Sequence, residues 1–303
     1  MTAVAGTAFE AAFDWAGTAA ALRRDGFCVV PGVLDGAILD RLRARSQALL
    51  DAADPEHRRR QRSTGSLIHL AADPGFAELI AWPPALEAFR RLGLGEAKCN
   101  SGYVISKPPG GPPLFWHQDW WGWDHPASYT DRMLQVFAMY YLTDTTPENG
   151  CLRVVPGSHR RRHPVHGMLD RAHGEDLALA RDPDDPAFGA VEGEVAVPVT
   201  AGDLVIGDAR LLHGAHANRS DAERTLLTLW YHPHFEDQPA PIRARIAKVM
   251  HREEVDTDPD GAVERFPDCW PEEARAAVAD VLADYRGPAE PQPWNRTPDD
   301  RLR

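Results

Sequence analysis

Hydrophobic positions follow a helical period over the first third of the chain and a strand period beyond it. Residues 9–24 predict a helix with Phe13, Trp15, Ala20 and Leu22 on its apolar side, stopped by Gly26. Phe27–Val30 then reads as a strand. Asp35 is placed as an N-cap, and Leu39, Leu42, Ser46, Leu49 and Leu50 keep helical spacing to about Asp51. Phe76–Leu92 predicts a second helical region, interrupted at Pro83-Pro84. From Cys99 the pattern shortens. Tyr103, Ile105 and Lys107 alternate with Val104 and Ser106, and Leu134–Thr143 is a long apolar run suited to a buried strand. Cys151–Val155, Leu204–Ile206 and Thr225–Tyr231 predict further strands, as does Glu194–Val199, with Val195, Val197 and Val199 on one side.

Many short strands punctuated by Gly and Pro indicate a sandwich or jelly roll, mainly β with flanking helices. Residues 160–193 are rich in Arg, His, Asp and Pro and read as an insert between strands. Long loops of this kind are often functional, and a lid over the substrate is the role considered for it. Pro271–Tyr285 predicts a helix followed by Gly287, and residues 288–303 are expected to be disordered. Neither a repeat nor a linker divides the chain. The expectation is one domain over 1–303: a helical part to about 95, a β core over 96–235 containing the insert, and a helical extension with a tail over 236–303.

Composition narrows the function classes. A net charge of −12 disfavours nucleic acid and acidic membrane surfaces as partners. No apolar run approaches the roughly 18 residues of a transmembrane helix, and Met1-Thr2-Ala3-Val4-Ala5 lacks the basic and apolar regions of a signal peptide, so a cytoplasmic location is expected. Cys28, Cys99, Cys151 and Cys269 show no paired spacing and read as structural thiols. The Arg58–Arg62 run reads as a solvated face. Oligomeric state is not legible in the chain.

The chemistry centres on His117-Gln118-Asp119, followed 96 residues later by His213 and eleven residues after that by Arg224. Two histidines and one carboxylate are the ligand set that holds non-haem Fe(II) while leaving open positions. Residues at i and i+2 of an extended strand point to one face, and the third ligand must come from elsewhere. A chain with 13 histidines offers His-x-Asp by chance, and surface loop residues are the alternative reading. Against it, Phe115, Trp116, Trp120 and Trp121 surround the triplet, where an unpaired carboxylate is costly. The planar guanidinium of Arg224 is suited to a bidentate grip on a carboxylate.

Four segments in order carry a family resemblance: Lys107-Pro108-Pro109-Gly110, Trp116-His117-Gln118-Asp119, Glu148-Asn149-Gly150-Cys151-Leu152 through Pro156-Gly157-Ser158-His159, and Gly202-Asp203 through His213 to Arg224. Together they resemble the phytanoyl-CoA dioxygenase family of Fe(II)/2-oxoglutarate oxygenases. The resemblance implies a double-stranded β-helix of cupin-like jelly-roll type. It also implies Fe(II) on His117, Asp119 and His213, with O2 and 2-oxoglutarate as co-substrates and succinate and CO2 as products. It assigns Arg224 to the distal carboxylate of 2-oxoglutarate, and Gln118, Tyr103 and Met139 to its surroundings. Met139 stands where many relatives carry Trp, and Ala215 where they often carry Ser. Family halogenases lack the carboxylate ligand; Asp119 is present, which disfavours halogenation. Arg219, His216 and His159 are set aside as a surface residue and two non-ligands, and Lys107 as structural. Of the crowded tryptophans, Trp120, Trp121 or Trp123 is expected to border the substrate pocket. The partner implied is a small organic substrate, to be hydroxylated or otherwise oxidised. The rival from another class is a metal-binding β-helix protein without turnover.

Overall fold

The computed structural model describes residues 13–250 and 266–303. Its strands are β1 (Phe27–Val30), β2 (Ile68–His69), β3 (Lys98–Lys107), β4 (Leu114–His117), β5 (Val136–Tyr141), β6 (Leu152–Val154), β7 (Val195–Val197), β8 (Leu204–Asp208), β9 (His213–Ala215) and β10 (Arg224–His232). They form two antiparallel sheets, ordered β1-β8-β5-β10-β3-β2 and β4-β9-β6-β7. This is the double-stranded β-helix expected from the sequence.

Strand β5 shows how the apolar run is used. Val136, Ala138 and Tyr140 face a core shared with Leu22, Ile38 and Leu42 of the N-terminal helices. Phe137, Met139 and Tyr141 face the other way, into the space between the sheets, beside Leu152, Val154 and Val197. Both faces are covered, so a period of two leaves no polar position in the strand.

The helix at Trp15–Asp25 ends as expected, with Gly26 at φ 87° donating its N–H to Leu22. The first residues of the predicted 9–24 helix lie outside the described residues. Asp35 caps Gly36–Ala52 through Ala37 and Ile38. Pro83 and Pro84 open the helix Pro83–Arg91 rather than merely interrupting one, since the first turn needs no N–H donors.

Two expectations for the C-terminal part are corrected. The helix spans only Glu272–Val278, because the following backbone pairs with β3: Cys99 N–H donates to Val281 and Ala283 N–H donates to Cys99, at 2.7 and 2.8 Å. Residues 288–303 are ordered. Arg245 donates to the Gln292 carbonyl at 2.7 Å, Asn295 N–H donates to the Trp121 carbonyl at 2.7 Å, and Arg162 N–H donates to the Arg303 carbonyl at 2.6 Å. Leu302 is buried with Trp120 and Trp123. The tail is held by long-range backbone bonds, which leave no periodic trace in its composition.

The 160–193 insert packs against β4 of the smaller sheet. Phe188 and Leu177 meet Phe115, and Val165 and Leu169 meet Trp116. Arg153 and the Trp116 indole fasten the insert by donating to the Gly189 carbonyl at 3.0 and 2.9 Å.

Candidate metal centre and its cavity

His117 ends β4 and His213 opens β9, paired across the smaller sheet. The Asp119 N–H donates to the Ala209 carbonyl at 2.8 Å, which fixes the carboxylate just beyond β4. One donor atom from each of His117, Asp119 and His213 lies within 4.8 Å of the others, and all three residues are buried. His117 Nε2 is 3.7 Å from Asp119 Oδ1, and His213 Nε2 is 3.8 Å from Asp119 Oδ2.

Each imidazole is oriented by the backbone two residues before it. His117 Nδ1 lies 3.1 Å from the Phe115 carbonyl and His213 Nδ1 lies 3.0 Å from that of Leu211. A carbonyl only accepts, so Nδ1 carries the proton and the Nε2 lone pair is directed toward Asp119. Burial, reinforced by His213, pushes His117 down to about 3, so its ring is neutral as a ligand requires. The turn ahead of His213 is braced by a buried ion pair. Arg210 meets Asp208 at 2.6 Å and also donates to the carbonyls of Ser128, Thr130 and Arg132. This donor set and its second contacts fit non-haem Fe(II), which His117, Asp119 and His213 would hold.

Strand β10 builds the adjoining wall. Its residues Arg224, Leu226, Thr228 and Trp230 alternate onto one face and all line a cavity of about 370 Å³ that includes the three candidate ligands. Trp230 Nε1 donates to Asp119 Oδ2 at 2.8 Å. The sequence reading placed Trp230 in a strand but missed this role, which follows from its i+6 spacing from Arg224. Trp230→Phe is expected to weaken Fe(II) affinity about 10–100-fold, because an outer hydrogen bond sets the orientation of the ligand carboxylate. Metal titration checks this; unchanged affinity contradicts it.

Arg224 is fully buried at the opposite end of the strand. Its Nε and Nη1 have no hydrogen-bond partner among the described residues. Burial lowers its pKa, and the side chains that support its charge are only Tyr141 and Cys151. Arginine stays protonated even so. A buried cation without an anion marks a place where an anionic ligand is missing. The preceding residue, Glu223, pairs with Arg58, so part of the basic run braces the clamp strand rather than facing solvent alone.

The other sequence candidates divide. Tyr103, Met139 and Trp121 line the cavity. Gln118 does not: its side chain turns away and donates to the Arg296 carbonyl at 2.6 Å, which corrects its placement beside the co-substrate. Trp120 and Trp123 are corrected to core residues, buried with Leu134, Phe235 and Ile242. Lys107 is structural, its ammonium bonded to the carbonyls of Ser63 and Pro112. His216 and His159 stand outside the ligand cluster, and Arg219 is exposed. Among the lining residues not anticipated, two stand close to the ligands or carry charge. His173, from the insert, holds a left-handed φ of 66° and sets its ring edge-on to His117 with centroids 5.0 Å apart. Arg296 comes from the tail.

Residues 22–226 match the phytanoyl-CoA dioxygenase (PhyH) family. The chain belongs to that family. Among relatives, a probable alpha-ketoglutarate-dependent hypophosphite dioxygenase of Stutzerimonas stutzeri is 33% identical over 141 residues, covering 46% of each chain. The ectoine dioxygenase of Halomonas elongata is 29% identical over 217 residues, covering 67% of this chain and 65% of its own. The alignments thus span less than two thirds of these relatives' lengths. The crystal structure of the non-heme alpha ketoglutarate dependent epimerase SnoN from nogalamycin biosynthesis aligns with a TM-score of 0.55 at 25% identity, covering 72% of this chain and 83% of that one. For this family member, no described helix is long and apolar enough to cross a membrane.

Proposed function

We propose that the protein is an Fe(II)- and 2-oxoglutarate-dependent dioxygenase that hydroxylates or otherwise oxidatively tailors a small organic substrate. The observation that carries this reading is the shared cavity: a two-histidine, one-carboxylate face and a buried Arg224, whose Nε and Nη1 have no partner among the described residues, open onto the same space. When bound, the iron supplies O2 activation coupled to decarboxylation of 2-oxoglutarate to succinate and CO2.

The chain's own residues do the rest. His117, Asp119 and His213 hold the metal, and Trp230 fixes the Asp119 carboxylate. Arg224 takes the distal carboxylate of 2-oxoglutarate through its planar fork. Tyr103 and Met139 wall the co-substrate. Thr64 also lines the cavity, next to Ser63, whose carbonyl holds Lys107 across from Arg224; it stands to supply the hydroxyl that Ala215 lacks. Apolar side chains such as Ile105, Leu114 and Leu226 keep water from the buried guanidinium.

A cavity of about 370 Å³ must hold 2-oxoglutarate and substrate together, which favours a compact metabolite over an acyl-CoA. Residues 1–303 act as one oxygenase unit in this reading, since insert and tail each contribute to the cavity of the β core. Cys28 and Cys99, each pushed up to about 12 by burial, are inert thiols compatible with the cytoplasm.

The test is succinate release from 2-oxoglutarate by purified protein with O2 and ascorbate, alongside 2-oxoglutarate binding. Both are expected to require Fe(II) and to be lost on chelation. Metal-independent binding, or no binding at all, contradicts the proposal and favours a metal-binding protein without turnover.

A further inference from the structure

The tail brings a second, partly buried cation to the cavity. Arg296 lies outside the family match, and its Nη1 is buried without a hydrogen-bond partner among the described residues. Its backbone is pinned on both sides. Gln118 donates to its carbonyl at 2.6 Å. The preceding Asn295 bridges the segment after Asp119 through Trp121, Trp123 and Asp124. Its guanidinium rests 5.0 Å from the Trp294 ring, which stacks on Trp121 at 5.5 Å and 14°. Trp294 remains 47% exposed although it borders the cavity.

The charges lining the cavity do not balance. Among the described residues that line it, Arg224 and Arg296 stand against Asp119 alone. Fe(II) and a 2-oxoglutarate dianion cancel one another, so the described lining keeps one positive charge. Asp119 is the acid that acts electrostatically on Arg296, and it is not within ion-pair distance among the described residues. The Thr228 hydroxyl and the Gln135 side-chain oxygen are buried without a partner among the described residues, and both residues line the same cavity. Burying a cation and two polar groups unpaired is unfavourable in the empty protein, and a ligand that pairs all three relieves it.

We propose that Arg296 is a substrate-binding residue for a small organic monocarboxylate whose flat or apolar body rests on Trp121 and Trp294, with Thr228 and Gln135 hydrogen-bonding its polar substituents. The proposal rests on the dioxygenase reading of this cavity and names its substrate class. The single surplus charge selects a monoanion over a phosphate ester, which carries nearly two. The pinned backbone holds the guanidinium ready, which limits the ordering cost of binding.

The probes are phenylacetate and its neutral counterpart phenylacetamide, titrated calorimetrically without O2 into the full chain loaded with Mn(II) and 2-oxoglutarate. Phenylacetate is expected to bind at least about tenfold more tightly than phenylacetamide. Arg296→Gln should weaken phenylacetate about tenfold or more, leaving 2-oxoglutarate affinity within about threefold, and Arg296→Lys should retain part of the binding. Trp294→Ala, at a half-exposed position that the fold tolerates, should weaken acid and amide alike. Equal binding of the two probes, no binding of phenylacetate, or no effect of Arg296→Gln overturns the proposal. Loss of 2-oxoglutarate rather than phenylacetate in Arg296→Gln overturns it as well, making Arg296 the co-substrate clamp. Failure of the wild-type protein to bind 2-oxoglutarate defeats the dioxygenase reading itself and this inference with it.

Discussion

Asp119→Ala is expected to abolish turnover, with succinate release falling by on the order of 10³-fold or below detection, several kcal/mol of lost metal binding and charge stabilisation. Among the described residues, Asp119 is the only anion lining the cavity, where Arg224 and Arg296 already oppose a dication. Without it, two imidazoles face the metal in a field of like charge. The Trp230 indole also loses its acceptor. Metal titration and succinate assays, with circular dichroism to establish folding, check the result. Activity within a few-fold of wild type would sink the three-ligand assignment. His117→Ala and His213→Ala should behave in the same way.

Arg224→Ala should leave metal binding intact while 2-oxoglutarate affinity falls by on the order of 10²-fold or more. Two charge-assisted hydrogen bonds are lost, each worth roughly 1.5–3 kcal/mol. Arg224→Lys should recover only part, because an ammonium lacks the planar fork. The exposed Arg219 is the control, and Arg219→Ala should do little. Stability gives a second signature. In the protein without 2-oxoglutarate, Arg224 is a buried charge with two partnerless nitrogens, so its removal should not lower the melting temperature. With saturating 2-oxoglutarate, the wild type should gain stability and the alanine variant should not. A variant that melts much earlier without ligand would recast Arg224 as a structural cation.

The sequence was most informative where local pattern and long-range role coincide. Strand β5 must be buried on both faces, so its apolar run is unbroken and visible. His117, Asp119, His213 and Arg224 were legible through the family's motif order and spacing, and the structure brings them to one cavity. The failures share a different cause. Gln118 neighbours two ligands in sequence, yet its side chain leaves their face to bond the Arg296 carbonyl. Trp120 and Trp123 satisfy the core rather than the pocket, a choice that composition does not encode. The tail at 288–303 has the polar, Pro-rich character of a disordered segment. Its order comes from backbone bonds to Trp121, Pro241 and Arg162, partners 51 to 174 residues away that no local window contains. His173 and Arg296 were invisible for the same reason: one sits in a polar insert, the other in that tail.

The central claim is that metal and co-substrate occupy one cavity, with Arg224 and not Arg296 holding 2-oxoglutarate. The most direct measurement is a crystal structure of the protein grown without O2 in Fe(II) and 2-oxoglutarate. The account predicts iron bonded to His117 Nε2, Asp119 and His213 Nε2, with the distal carboxylate of 2-oxoglutarate paired to Arg224 and Arg296 facing the remaining space. Iron bound elsewhere, or the distal carboxylate seated on Arg296 with Arg224 still unpaired, would contradict it.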